Sequence, residues 1–152
     1  MVALPMSADA DPLTDNPLTR DDLDLLRRPL YGFFSPAAAA APPQPRPIWY
    51  EVTADRTIES FTLPDSVRVR RLRQDPRASL VVAAPVGERE RWVSVSGSTT
   101  VHTDGAAELV TRLARRYWDL DDPVRVRDLD DLLAETWVRV VLRPEKVARY
   151  RM

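Results

Sequence analysis

Nine of the fourteen prolines lie before residue 48. Each fixes φ near −65° and removes an amide donor, so neither a long helix nor a central strand can run through that stretch. The first third is therefore restricted to short elements and loops, and long regular structure has to come later. Residues 1–18, rich in Ala, Asp, Pro and Thr, read as a disordered tail. Thr19 suits a helix N-cap, with Asp21 and Asp22 at the positive end of the dipole and Pro29 closing the short helix. Tyr31 to Phe34 reads as a strand, and Pro36 to Pro45, with five alanines among four prolines, as an extended loop.

Periodicity sharpens from Arg46 onward. Ile48, Tyr50 and Val52 alternate with Trp49 and Glu51, which predicts one strand over 47–52. Ala54-Asp55-Arg56 is a tight turn, and 57–63 the returning strand. Asp65 or Ser66 caps a helix ending at Gln74. Residues 77–84 form an apolar run suited to a strand buried on both faces, and Pro85 to Glu88 turn the chain. A long strand follows over 91–101, and Gly97 within it implies a bulge or a close backbone approach. Asp104 is expected to cap the best helix, whose stripe is Ala106, Leu109, Val110, Leu113 and Tyr117. Asp122-Pro123 pairs an N-cap with proline at the first helical position, and Val126, Leu129, Leu132 and Leu133 continue that helix. Two last strands are expected, over 137–142 and 144–150. Hairpin-linked strands without a βαβ rhythm predict a mainly β, α+β domain: an antiparallel barrel of six or seven strands with short connecting helices, spanning 19–152.

Composition narrows the chemistry. With no cysteine and one histidine, His102, the chain has no disulfide, thiolate or His-cluster metal site to offer. His102 has no adjacent carboxylate or serine motif, so a surface or hydrogen-bonded role is the simpler reading. A net charge of −1 argues against a general nucleic-acid binder. No apolar run is long enough for a membrane helix, and no signal peptide stands at the N-terminus, so a soluble cytoplasmic protein is expected. The acidic run 119–122 lacks the spacing of a calcium loop, because Val124 stands where glycine is needed. Nucleophile-elbow, dinucleotide-binding and Walker sequences are all missing.

The segment Phe61 to Arg77 is the most informative. It sets Thr62 and Ser66 around a strand-to-helix turn and then places five arginines between 68 and 77. A helix N-terminus with planar bidentate donors can cradle a phosphate; a solvated basic face is the plainer alternative. Trp49 and Tyr50, beside Arg46, can form a flat wall for an aromatic ligand or simply pack in the core, and Trp92, Trp118 and Trp137 are read as core.

Several segments together resemble a known family. They are Pro43 to Glu51, Ser60-Phe61-Thr62, Ser66-Val67-Arg68, Leu72 to Arg77, Arg91 to Gly97, Arg115-Arg116-Tyr117 and Pro144 to Val147. In order and spacing they are similar to the pyridoxamine 5′-phosphate oxidase-like split β-barrels that bind flavins and deazaflavins, over about residues 22–150. The resemblance implies a homodimer with a cofactor groove at the interface, holding FMN or the deazaflavin coenzyme F-420, and a redox reaction on a small molecule. It places Thr62, Ser66 and Arg68, with Arg70 nearby, on the phosphate, and the strand carrying Pro47, Ile48 and Trp49 along the ring system, with Arg46 beside it as a further cofactor-binding residue. Only one of the 22 basic residues, Lys146, is lysine, a bias of GC-rich genomes that favours the deazaflavin. The chain departs from the family pattern at Ala37 to Pro42, which replace a glycine-bearing hairpin turn, and at Arg68, where lysine is more usual. A cofactor-free binding or scaffold protein on the same barrel is the alternative.

Overall fold

The computed structural model describes residues 15–37 and 40–152. Its elements are α1 (Arg20–Leu26), β1 (Gly32–Pro36), β2 (Arg46–Ile48), β3 (Glu51–Val52), β4 (Ile58–Thr62), α2 (Val67–Gln74), β5 (Arg77–Ala83), β6 (Arg91–His102), α3 (Ala106–Tyr117), α4 (Pro123–Ala134) and β7 (Val138–Arg151). All seven strands form one sheet, ordered β2-β1-β5-β6-β7-β4-β3, and every pairing between them is antiparallel.

The order dictates the shape. β2 and β3 occupy opposite edges yet are separated only by Trp49 and Tyr50. A flat sheet of seven strands would be roughly 29 Å across at ~4.8 Å per strand, whereas the three Cα steps from Ile48 to Glu51 span at most about 11 Å. The sheet must curl until its edges nearly meet, which gives the split barrel. Its core holds Phe34, Ile48, Tyr50, Ile58, Leu80, Val82, Val93, Val95, Val140 and Leu142, plugged by Leu23, Leu25 and Leu26 of α1.

Local chemistry places the caps. Thr19 Oγ1 accepts from Asp22 N while the Asp22 carboxylate accepts from Thr19 N, a reciprocal capping box. Asp22 is buried and also accepts two bonds of 2.9 Å from Arg149, tying α1 to β7. Burial would raise its pKa, but the bonds from Arg149 and Thr19 outweigh this and hold it below the ordinary value. Ser66 caps α2 through Val69 N, and Asp122 caps α4 with Pro123 at its first position.

Several expectations need correction. The strand expected over 47–52 is two strands on opposite edges, because the barrel closes through Trp49-Tyr50. Val138 to Arg151 is one continuous strand; Pro144 is accommodated opposite Gly97, where the β6–β7 register shifts. A Cβ on Gly97 would lie 1.8 Å from the Arg143 carbonyl oxygen, so the bulge and the close approach are the same feature. β5 is buried on alternate residues rather than both faces: Ala78, Leu80 and Val82 point inward while Ser79 and Val81 stay half-exposed. α3 is capped by Gly105 at φ 74° rather than by Asp104, whose carbonyl instead accepts from Arg139 Nε. Of the expected tail, 1–14 lie outside the described residues, whereas Leu18 is 2% exposed in the core and Asn16 Nδ2 donates to the Arg56 carbonyl. No helix among the described residues is long and apolar enough to cross a membrane.

Candidate functional site

A cavity of about 760 Å³ opens beside the barrel's closure point. β2 and the crossover contribute Pro47, Ile48 and Trp49; the end of β4 contributes Phe61 and Thr62, and the α2 cap Ser66 and Arg68. Segment 118–137 adds Trp118, Leu132 and Trp137, and Tyr31, Phe33 and Leu63 complete the lining. α4 itself buries no residue. Its ends are pinned by aromatic contacts: the Arg125 guanidinium lies 4.7 Å from the Trp118 ring, and Trp137 Nε1 donates to the Leu132 carbonyl at 2.6 Å.

The rings form one connected box. Trp118 meets Trp49 edge-on at 4.8 Å, and Trp137 meets Phe61 edge-on at 4.9 Å. Such a lining offers flat apolar surface to a ring system. Among the described residues lining this cavity there is no Asp, Glu, His, Lys or Cys. The walls can bind, orient and exclude water; they have no carboxylate or imidazole with which to move a proton.

A smaller cavity of about 280 Å³ adjoins it and shares Thr62, Ser66 and Arg68. Its other walls include Phe34, Gln44, Arg46 and Arg71. Thr62 Oγ1 donates to Ser66 Oγ at 3.2 Å, and Ser66 Oγ also accepts from Val69 N at 3.2 Å, so the Ser66 proton is left to point elsewhere. Val67 N and Arg68 N, ahead of the first intrahelical bonds, add unpaired donors at the positive end of α2.

Arg68 joins the two spaces. Its guanidinium sits 5.4 Å from the centroid of the Phe34 ring. Burial, and then the neighbouring Arg46 charge, holds its pKa below the usual arginine range. Among the described residues no carboxylate pairs with Arg46, Arg68 or Arg71. A largely buried guanidinium without a counter-ion is costly unless something anionic reaches it. The donor set, with planar cations, a helix N-terminus and hydroxyls, is the one a phosphate requires.

Six of the eight residues anticipated from sequence, Pro47, Ile48, Trp49, Thr62, Ser66 and Arg68, therefore line the large cavity, and Arg46 lines the small one. Arg70 lines neither: it is exposed and donates to the Asp65 carbonyl at 3.1 Å. Helical rotation explains the difference, since Arg71 is three residues from Arg68 and shares its face, whereas Arg70 is turned away. That i, i+3 spacing is a signal from which Arg71 could have been found. Trp118 and Trp137, expected in the core, are half-buried cavity walls. Trp92 is an exposed ring stacked on Tyr150.

No curated protein sequence matches the chain. Among solved structures, a conserved hypothetical protein of Mycobacterium tuberculosis superposes with TM-score 0.71 at 18% identity, covering 90% of this chain and 87% of that one. A protein described as an F420 reductase gives TM-score 0.64 at 20% identity, covering 82% and 94%. A FAD-binding protein of Mesorhizobium loti gives 0.58 at 21% identity, covering 85% and 89%. These likenesses concern the fold. The family model for pyridoxamine 5′-phosphate oxidase matches residues 19–142, nearly all of the barrel. With its curled seven-stranded sheet, the chain belongs to the pyridoxamine 5′-phosphate oxidase-like family of split β-barrels.

Proposed function

We propose that this protein is an oxidoreductase that binds FMN or the deazaflavin coenzyme F-420 and acts on a small molecule. The observation that carries the reading is Arg68, a largely buried cation without a carboxylate partner among the described residues, set where an aromatic-walled space meets an arginine-lined one. A ligand with a flat ring at one end and an anion at the other satisfies both. Arg68, Arg46, Arg71, Thr62 and Ser66 would hold the phosphate, and Trp49, Pro47 and Ile48 would flank the ring. The cofactor supplies the hydride or electron transfer, and the protein supplies placement and a water-poor surround. The described lining of the large cavity carries no carboxylate or imidazole, and its one phenol, Tyr31, is 60% exposed, so protons come from solvent or from the substrate. Membership of the family and the structural likeness to proteins described as an F420 reductase and a FAD-binding protein support the redox reading.

The same proposal includes a homodimer with the groove at its interface. Tyr31 and Phe33 line the cavity yet are 60% and 46% exposed, and Val67 at the start of α2 is also exposed. Large apolar groups gathered around one opening suit coverage by a partner.

The test is equilibrium binding of FMN, F-420 and riboflavin to the purified protein, with sedimentation to give the oligomeric state. One phosphorylated cofactor is expected to bind well below the millimolar range and more tightly than its phosphate-free counterpart. If neither FMN nor F-420 binds below about 1 mM, equivalent to only about 4 kcal/mol, the redox reading is wrong and the cofactor-free barrel takes its place.

A further inference from the structure

Trp49 has an unusual backbone setting. It lies between the last residue of one sheet edge and the first of the other, so no strand ladder holds residues 49–50. Trp118 meets the indole edge-on and Arg116 lies over the Tyr50 ring, while the hydrogen bonds and the face-to-face contact come from Tyr117, at the C-terminal end of α3. The Tyr117 hydroxyl donates to the Leu30 carbonyl at 2.7 Å and accepts from the Tyr50 amide at 3.3 Å, which uses its single proton and satisfies a buried N–H. The Tyr117 ring stacks on the Trp49 indole at 5.1 Å with only 4° between the planes. Trp49 lines the cavity and Tyr117 does not, so Tyr117 backs the indole from the protein side. The neighbouring Arg116 donates to the carbonyls of Leu26, Arg27 and Arg28, anchoring this end of α3 to the end of α1.

We infer that Tyr117 is a positioning residue for the cofactor ring: through one stack and two hydrogen bonds it sets the plane of Trp49 against which the ring lies. This rests on the cofactor site proposed above. Trp118 and Phe61 touch the indole edge-on, so without Tyr117 the ring loses the one face-to-face contact that fixes its tilt among the described residues, and small misplacements of a positioning surface are costly because the bound ligand must then order it. Nothing in this arrangement reaches the arginine compartment, so ring placement and phosphate capture should respond separately to substitution.

The experiment uses Tyr117→Phe, which keeps a flat ring and deletes both hydrogen bonds. The tryptophan bands of the near-UV circular dichroism of the ligand-free protein should change, reporting a reoriented Trp49, while the far-UV spectrum is retained. Affinity for FMN or F-420 should fall about tenfold, equivalent to about 1.4 kcal/mol, and affinity for inorganic phosphate should stay within twofold of wild type. If Tyr117→Phe proves too unstable, Tyr117→Trp, which restores a donor on a flat ring, should bind cofactor better than Tyr117→Leu. Equal cofactor affinity in wild type and Tyr117→Phe, a parallel fall in phosphate affinity, or unchanged tryptophan bands overturn the assignment. A wild-type protein that binds neither cofactor instead overturns the functional reading, with the role of Tyr117 toward a cofactor.

Discussion

Replacing Arg68 by methionine should separate binding from stability, moving the two in different directions. The guanidinium is largely buried, lies against Phe34 and has no carboxylate partner among the described residues. In the free protein its removal ends the cost of an uncompensated buried charge and forfeits a cation–π contact of about 0.5–2 kcal/mol. Methionine keeps an apolar stem over Phe34, so the net change in stability should lie between zero and a gain of about 1 kcal/mol. For a chain of 152 residues such a gain raises Tm by roughly 2–4 °C. Toward a phosphate-bearing ligand the sign reverses. A hydrogen bond to a charged group contributes about 1.5–3 kcal/mol, so losing one weakens binding roughly 10- to 150-fold at 1.4 kcal/mol per factor of ten. Urea denaturation and titration with FMN and F-420 read the two quantities independently. Arg68→Met with unchanged affinity for both ligands, or with a stability loss above about 2 kcal/mol, would show that the guanidinium serves the fold instead.

Other outcomes follow from single contacts. Gly97→Ala drives a methyl group into the Arg143 carbonyl, backbone that cannot yield cheaply, and should cost more than about 4 kcal/mol or abolish folding; expression level and thermal melting check it. Tyr50→Phe removes a fully buried hydroxyl that lies near Arg116 but makes no well-formed hydrogen bond among the described residues, and should be neutral or stabilising by about 1 kcal/mol in urea melts. Asp22 is held below its ordinary pKa of 3.8, so its ionised form contributes stability that is present above that value and disappears as pH falls through the lower, folded-state value. Asp22→Asn should therefore cost about 1–2 kcal/mol at neutral pH and progressively less below pH 4, read as converging urea midpoints.

Caps and turns were the most legible parts of the chain, because each depends on a handful of adjacent residues. Thr19 with Asp22, Ser66 (one of two candidates with Asp65) and Asp122 before Pro123 carry their own hydrogen-bonding logic and form their caps, whereas the cap expected at Asp104 passes to Gly105. The larger errors came where distant chain decides. Ile48 and Tyr50 keep strand alternation across a point at which the sheet is left and re-entered, since both side chains still face the core. Pro144 reads as a strand break until Gly97 is known to lie opposite and shed its register. The half of the site carried by Thr62, Ser66 and Arg68 is contiguous and could be anticipated; the facing wall of Trp118, Leu132 and Trp137 arrives through tertiary packing that no local pattern announces.

The two-residue crossover at Trp49-Tyr50 also bears on the order of assembly. Among the described residues β2 pairs only with β1 and β3 only with β4, so the two ends of the sheet that the crossover tethers become one sheet only through β5, β6 and β7. The β4–β7 ladder joins strands far apart in sequence, such as Ile58 with Leu142, and so carries the largest loop-closure entropy, which places closure of this side of the barrel late in folding. Substitutions there should accelerate unfolding and leave the refolding rate nearly unchanged, and their amides should exchange with solvent sooner than those of the central β6–β7 ladder. The aromatic-walled cavity would then be the final part of the molecule to mature, and a bound ligand would act as a kinetic lock on a barrel that could otherwise reopen along that seam.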